Sequence, residues 1–273
     1  MDNDLHFGDA YPPREIARKV EGLGVAKART DALTLLVLAV LAGAFISLGA
    51  LFFIVVVTKS TLGFGMTRLV GGLSFCLGLI LVVVAGAELF TGNNLIAMAW
   101  ASRLIGTRAV MRNWFLAYLG NVGGCLATVM LVVWANVADL GGGAVGETAL
   151  NIARAKADLS VIEAFTRGVL CNALVCLAVW LAMGGRSVTD KILAILFPIT
   201  AFVAMGFEHS IANWFFLPLG LALDGEGTVS VIGATRNIVA VTAGNVVGGT
   251  LLVAGVYWVA YLRGERRPND GPS

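Results

Sequence analysis

Residues 32–58, 113–138 and 237–262 contain no Asp, Glu, Lys, Arg or His. Each run is long enough to cross a hydrocarbon core about 30 Å thick. Shorter uncharged runs cover 69–87, 89–102, 168–185, 192–207 and 210–223. Residues 69–102 are interrupted only by Glu88, and 192–223 only by Glu208 and His209. As straight helices these two stretches would each extend roughly 50 Å at 1.5 Å per residue, too long for one crossing and too short for two. The pattern predicts one crossing in each, broken near the bilayer midplane by a polar loop that faces protein or water. The chain thus reads as an all-α membrane protein with six crossings, at 32–58, 69–102, 113–138, 163–185, 191–223 and 236–262.

The two interrupted crossings share an order of residues. Gly86, Glu88 and Asn93 recur as Gly206, Glu208 and Asn213, 120 positions on. Arg112-Asn113 and Gly120-Asn121-Val122 recur as Arg236-Asn237 and Gly244-Asn245-Val246, at an offset of 124. These matches predict an internal repeat, about 32–138 and 163–262. Three crossings per copy is an odd number, so the second copy enters the membrane from the opposite face. The expected architecture is an inverted 3+3 repeat whose broken elements meet at mid-depth, where a transport route is the default expectation. Half-helix N-termini there would expose backbone N–H groups suited to an anion.

Composition narrows the functional classes. The chain has 273 residues, of which 58% are hydrophobic and 13% charged, about half the charged fraction of soluble domains. A net charge of +2, dispersed along the chain, excludes a nucleic-acid stripe. The four cysteines, Cys76, Cys125, Cys171 and Cys176, lie in apolar runs without metal-ligand spacing and read as small packing residues. No metal or other cofactor is expected. Loops facing the N-terminal side hold 13 of the 19 Lys and Arg residues. The positive-inside rule makes that side, with both termini, cytoplasmic. Residues 1–31 read as a cytoplasmic segment with an amphipathic stretch carrying Ile16, Val20 and Leu23, either an interfacial anchor or a plug. No apolar leader run precedes the first crossing. Residues 32–262 form the pore domain, and 263–273 a disordered cytoplasmic tail.

Ionisable groups at membrane depth cost on the order of 2.5 to 3.5 kcal/mol, so Glu88, Glu208 and His209 need a reason to be there. The two carboxylates are expected to accept hydrogen bonds from backbone donors freed by the breaks, with Asn93 and Asn213 beside them in the loops. His209 has Leu89 at the matching place in the first copy, so loop architecture alone does not require an imidazole. An unperturbed imidazole titrates near pH 6.5 and exchanges protons at either ring nitrogen, which gives His209 a transport role. Thr91, Asn93, Asn94 and Ser210 offer neutral donors, although each also suits closing the broken turn. Asn172, alone on an apolar helix, suits interhelical bonding or a pore equally. Close helix packing accounts for Asn121 and Asn245 with their flanking glycines.

The segments AGAELFTGNN (85–94) and MGFEHSIANWFF (205–216) resemble the formate/nitrite transporter family, and the likeness extends over 12–263 through LVCLAVW, GRSVTDK and GNVVGG. The resemblance implies an aquaporin-like fold in the plasma membrane. It also implies a homopentamer with one pore per protomer, and passage of small monovalent anions or their conjugate acids. By matching residue, Thr91 and His209 are the expected central substrate contacts, with Asn172 and Lys156 nearby. Phe75, Leu79, Leu89, Phe90, Val175 and Phe202 are the expected constriction, although helix packing alone would also explain each.

Putting a bare carboxylate into a low-dielectric medium has an idealised cost of order 20 kcal/mol. The expected function is therefore proton-assisted, bidirectional passage of formate, with nitrite, acetate, lactate or hydrosulfide as other cargoes of the same family. An intramembrane enzyme using Ser210 and His209 is disfavoured, since adjacent residues do not direct their side chains into a nucleophile–base bond and no G-x-S-x-G elbow is present. A neutral-solute channel is the other rival, though the N-P-A loops expected of one are absent.

Overall fold

A computed structural model describes residues 10–264, and all regular structure among them is helical. Helix α1 spans Pro13–Arg29, α2 Ala32–Val57 and α3 Phe64–Ala85. After a break, a 3-10 turn at Gly92–Ile96 leads into the short α4, Ala97–Ala101. Then come α5 (Thr107–Trp134), α6 (Ala144–Ala157), α7 (Val161–Gly184) and α8 (Val188–Ala204). After the second break, α9 spans Ser210–Leu223. The last helix, α10, begins at Val231 and continues as π-helical turns to Leu262. Five of these helices are long and apolar enough to cross a bilayer; α8 and α9 are the halves of a further, broken crossing.

Caps set the helix starts. Asp31 accepts the Thr34 N–H ahead of α2. Ser160 and Ser187 form reciprocal capping boxes with Glu163 and Asp190 at α7 and α8. Both interrupted helices stop at a glycine in the left-handed region, Gly86 at φ 83° and Gly206 at φ 72°, where a Cβ would be strained. Ala87 N–H donates to Val82 O and Phe207 N–H to Phe202 O, so the two breaks begin identically.

Glycine permits the closest helix contacts. A Cβ on Gly43 would run into the Asn121 carbonyl and one on Gly124 into the Val40 carbonyl, which holds α2 against α5. Gly244 and Gly248 meet the Phe165 and Val169 carbonyls in the same way between α7 and α10. The broken helices α3 and α8 pack on each other, Gly72 against Thr200.

Three features depart from the sequence-based expectation. The first copy resumes after its break as a 3-10 turn and five α-helical residues, not as a half-helix like α9. Gly92, Asn93 and Asn94 lie in that stretch, and such residues favour tight turns over α-helix. Helix α6 falls in what looked like a connection. It packs on α9 as α1 packs on the 3-10 turn and α4, so the matching contacts extend back to α1 and α6. Helix α1 itself is seated on the bundle, with Ile16, Ala17 and Val20 buried. The proposed tail lies almost wholly outside the described residues, as does the start of the N-terminal segment.

Candidate functional site

The loop between α3 and the 3-10 turn, and the loop between α8 and α9, are held by two equivalent asparagines. Asn121 Oδ1 accepts the Phe90 N–H at 2.9 Å, while its Nδ2 donates to Ala39 O at 2.7 Å and Glu88 O at 2.9 Å. Asn245 Oδ1 accepts the Ser210 N–H at 2.8 Å, and its Nδ2 donates to Gly168 O at 2.8 Å and Glu208 O at 3.0 Å. Both are fully buried. Their small-residue surroundings suggested packing alone, but each side chain spans a helix and a loop and satisfies backbone groups that the break leaves open.

The carboxylates therefore have other partners than the backbone donors expected for them. Lys27 Nζ donates to Glu88 Oε1 at 2.7 Å and to Asn93 Oδ1 at 2.9 Å, and Asn93 Nδ2 donates to Glu88 Oε2 at 2.8 Å. In the second copy Lys156 Nζ donates to Glu208 Oε1 at 2.9 Å, and Asn213 Nδ2 donates to Glu208 Oε2 at 2.7 Å. Asn113 and Asn237 brace the two clusters through the Lys27 and Lys156 carbonyls. A lysine and an asparagine offset the desolvation of each buried carboxylate. Lys27, counted from the sequence among the cytoplasmic charges, lies in the last turn of α1 and reaches into the loop. The signal was present, since Ala26-Lys27-Ala28 recurs as Ala155-Lys156-Ala157.

Two cavities approach the centre. One of about 300 Å³ is bordered by α1 and carries Lys27, Glu88, Leu79 and Leu89 on its wall. The other, of about 220 Å³, is bordered by α6 and carries Lys156, Glu208, His209, Phe75 and Phe202. Between them lies a void of about 10 Å³ walled by Ile46, Phe75, Leu79, Leu89, Val175, Ile199, Phe202 and His209. Phe75 and Phe202 meet edge to face with centroids 5.5 Å apart, and Phe202 stacks on the His209 ring at 6.1 Å. Phe90 is also buried but packs against Trp114 and Tyr118, away from that void.

His209 Nε2 lies 2.9 Å from Thr91 Oγ1, bringing the two breaks into direct contact. His209 is also the N-cap of α9, its Nδ1 accepting the Ala212 N–H at 3.1 Å. A backbone N–H can only donate, so Nδ1 is unprotonated in this arrangement and Nε2 carries the ring proton. The imidazole is thus a donor to Thr91, whose hydroxyl keeps its own proton for another acceptor. Asn172 Nδ2 donates to Asn94 Oδ1 and Asn245 O, both at 2.7 Å, and lies 3.3 Å from Thr91 O. It supports the loops from behind and lines none of the three cavities.

The formate/nitrite transporter family model matches residues 14–259. The chain belongs to the formate/nitrite transporter family. Among family members, the formate channel FocA of Escherichia coli K12 is 40% identical, aligning 93% of this chain with 96% of its own. The transporter YrhG of Bacillus subtilis is 39% identical over 93% of this chain and 95% of its own. A pentameric formate channel with formate bound superposes with a TM-score of 0.78 at 38% identity, covering 85% of this chain and 98% of that one. An ion channel of the same family gives a TM-score of 0.82 at 28% identity, over 90% and 98% of the two chains. Membership, with five membrane-length apolar helices, makes this a membrane-embedded protein of a family of channels and transporters.

Proposed function

We propose that the chain forms a pore for small monovalent anions, formate foremost, with nitrite as the other cargo of the family, and that the anion crosses in company with a proton. The observation that carries this reading is His209, which lies on the wall of the void where two cavities close on an apolar constriction and is hydrogen-bonded through Nε2 to the buried Thr91 hydroxyl. A wall of Phe, Leu, Val and Ile offers an anion nothing in return for its hydration, so a bare charge is excluded and a protonated acid is not. Lys156 supplies positive charge to one cavity, and the Thr91 hydroxyl holds the His209 ring at the slit. The imidazole as placed is neutral. Delivering a proton requires its cationic form, which forms only if Nδ1 releases the Ala212 N–H, and an approaching anion favours that form.

The equivalent asparagine and lysine clusters support an inverted 3+3 repeat over residues 32–262, and the relative bearing bound formate as a pentamer supports a homopentamer with one pore per protomer. The distribution of Lys and Arg supports cytoplasmic termini and a plasma-membrane location. Competition among formate, nitrite, acetate, lactate and hydrosulfide in one reconstituted preparation tests the cargo. Saturable formate uptake, displaced most readily by formate itself, is expected. Uptake of glycerol but not formate would make the pore one for neutral solutes.

A further inference from the structure

The two cavities are equivalent in architecture and unequal in charge. Lys27 and Glu88 are the ionisable groups on the α1-side wall, one cation to one carboxylate. The α6-side wall carries Lys156, Arg68 and Arg167 against Glu208, three cations to one carboxylate, with His209 at its floor. The excess comes from two arginines whose counterparts are apolar. Glu208 N–H donates to the Arg167 carbonyl as Glu88 N–H donates to that of Leu38, which pairs Arg167 with Leu38. The 120-residue offset that pairs Gly86 with Gly206 likewise pairs Arg68 with Val188.

All three cations have donors to spare. Arg68 gives Nε to Ala204 O at 2.9 Å and Nη2 to Val203 O at 2.7 Å, which fixes the guanidinium over the end of α8 and leaves its other N–H groups open. Arg167 makes no side-chain hydrogen bond among the described residues. Glu163, one turn before it on α7 and exposed, is hydrogen-bonded to Ser160 and acts on Arg167 through charge without a hydrogen bond. Among the described residues Lys156 donates only to Glu208 and otherwise lies 5.1 Å from the Phe216 ring centroid, whereas Lys27 also bonds Asn93, and the Asn213 Oδ1 that would be the equivalent acceptor is buried without a partner.

We propose that Arg68 and Arg167 join Lys156 in a capture site for small oxyanions at the mouth of the α6-side cavity, and that the α1-side cavity has no such site. A guanidinium presents a planar fork of donors that matches a carboxylate or nitrite. The inference rests on the reading of this passage as an anion pore. A unit charge about 4 Å from an anion in water changes its local concentration about fivefold, so anions enter from the α6 face at lower concentration. A passive pore cannot create a gradient, and the lower half-saturating concentration on that face is matched by a lower maximal flux from it.

The test measures saturable formate flux from each face in sealed right-side-out and inverted membrane vesicles, for wild type, Arg167→Leu and Arg167→Lys. In wild type the half-saturating concentration is several-fold lower from the α6 face. Arg167→Leu moves the ratio between the faces toward one by about threefold to fivefold, Arg167→Lys largely keeps it, and raised ionic strength shrinks it. Equal half-saturation at both faces in wild type, or a ratio that Arg167→Leu leaves unchanged, overturns the capture site while leaving the pore intact. Absence of formate flux in wild type overturns the pore reading itself, and the site with it.

Discussion

Thr91 Oγ1 and His209 Nε2 stand 2.9 Å apart across 118 positions of sequence, a direct hydrogen bond between the loops at the two breaks. The places they occupy are not equivalent. The offset of 120 puts Leu89 opposite His209 and Ile211 opposite Thr91. Two loops held by matching asparagine bonds thus present an asymmetric polar pair.

Thr91→Val keeps the shape of the side chain and removes the hydroxyl. It leaves the Nε2–H of His209 buried without a partner, at a cost of about 1–3 kcal/mol. Formate flux in proteoliposomes should fall about tenfold or more, while Thr91→Ser should retain most of it.

The ion pair between Lys156 and Glu208 has side chains only 14% and 5% exposed, so one partner without the other is costly. Lys156→Met should lower stability by about 3 kcal/mol, and the double variant with Glu208→Gln should recover much of the loss. Thermal unfolding in detergent of the two single variants and the double variant gives the coupling directly.

Gly244 lies against the Phe165 carbonyl, so Gly244→Ala must push α7 and α10 apart. A loss of about 1–3 kcal/mol is expected, as for other overpacked contacts. A Cβ at Gly22 meets open space in the middle of α1, and Gly22→Ala should leave the melting temperature level or raise it.

Asp224 closes the connection from α9 to α10. Bonds from the Val229 N–H at 2.6 Å and the Thr228 hydroxyl at 2.8 Å hold its carboxyl down at about 2. A depressed value means that the contribution is complete above the unfolded carboxyl range, near 3.9, and is lost as pH falls through the folded value. Protection of residues 224–230 from proteolysis should be constant from neutral pH to about 5 and decline below about 4. Asp224→Ala should show the unprotected pattern already at neutral pH.

The membrane-length helices and both breaks were legible because uncharged length and two polar interruptions leave few alternatives in a bilayer. Glu88, Glu208 and His209 stood out for the same reason, being expensive where they lie. Their partners were harder to find. Lys27 and Lys156 sit in amphipathic stretches beside other bases, and only the repeated Ala-Lys-Ala connects them across an offset different from those of the breaks. Asn121 and Asn245 were visible as a repeated pair, but hydrogen bonds reaching three backbone groups in distant segments leave no periodic trace. The truncated half-helix at α4 follows from Gly92, Asn93 and Asn94, whose turn preference the helical spacing of the neighbouring apolar residues concealed.

The most direct test of proton-assisted passage is formate flux against pH in proteoliposomes of the wild-type protein and His209→Asn. The account predicts flux that rises as pH falls in wild type and a flattened profile in the variant, which keeps a polar group beside Thr91 but cannot take up a proton. Identical pH profiles for the two proteins would contradict it.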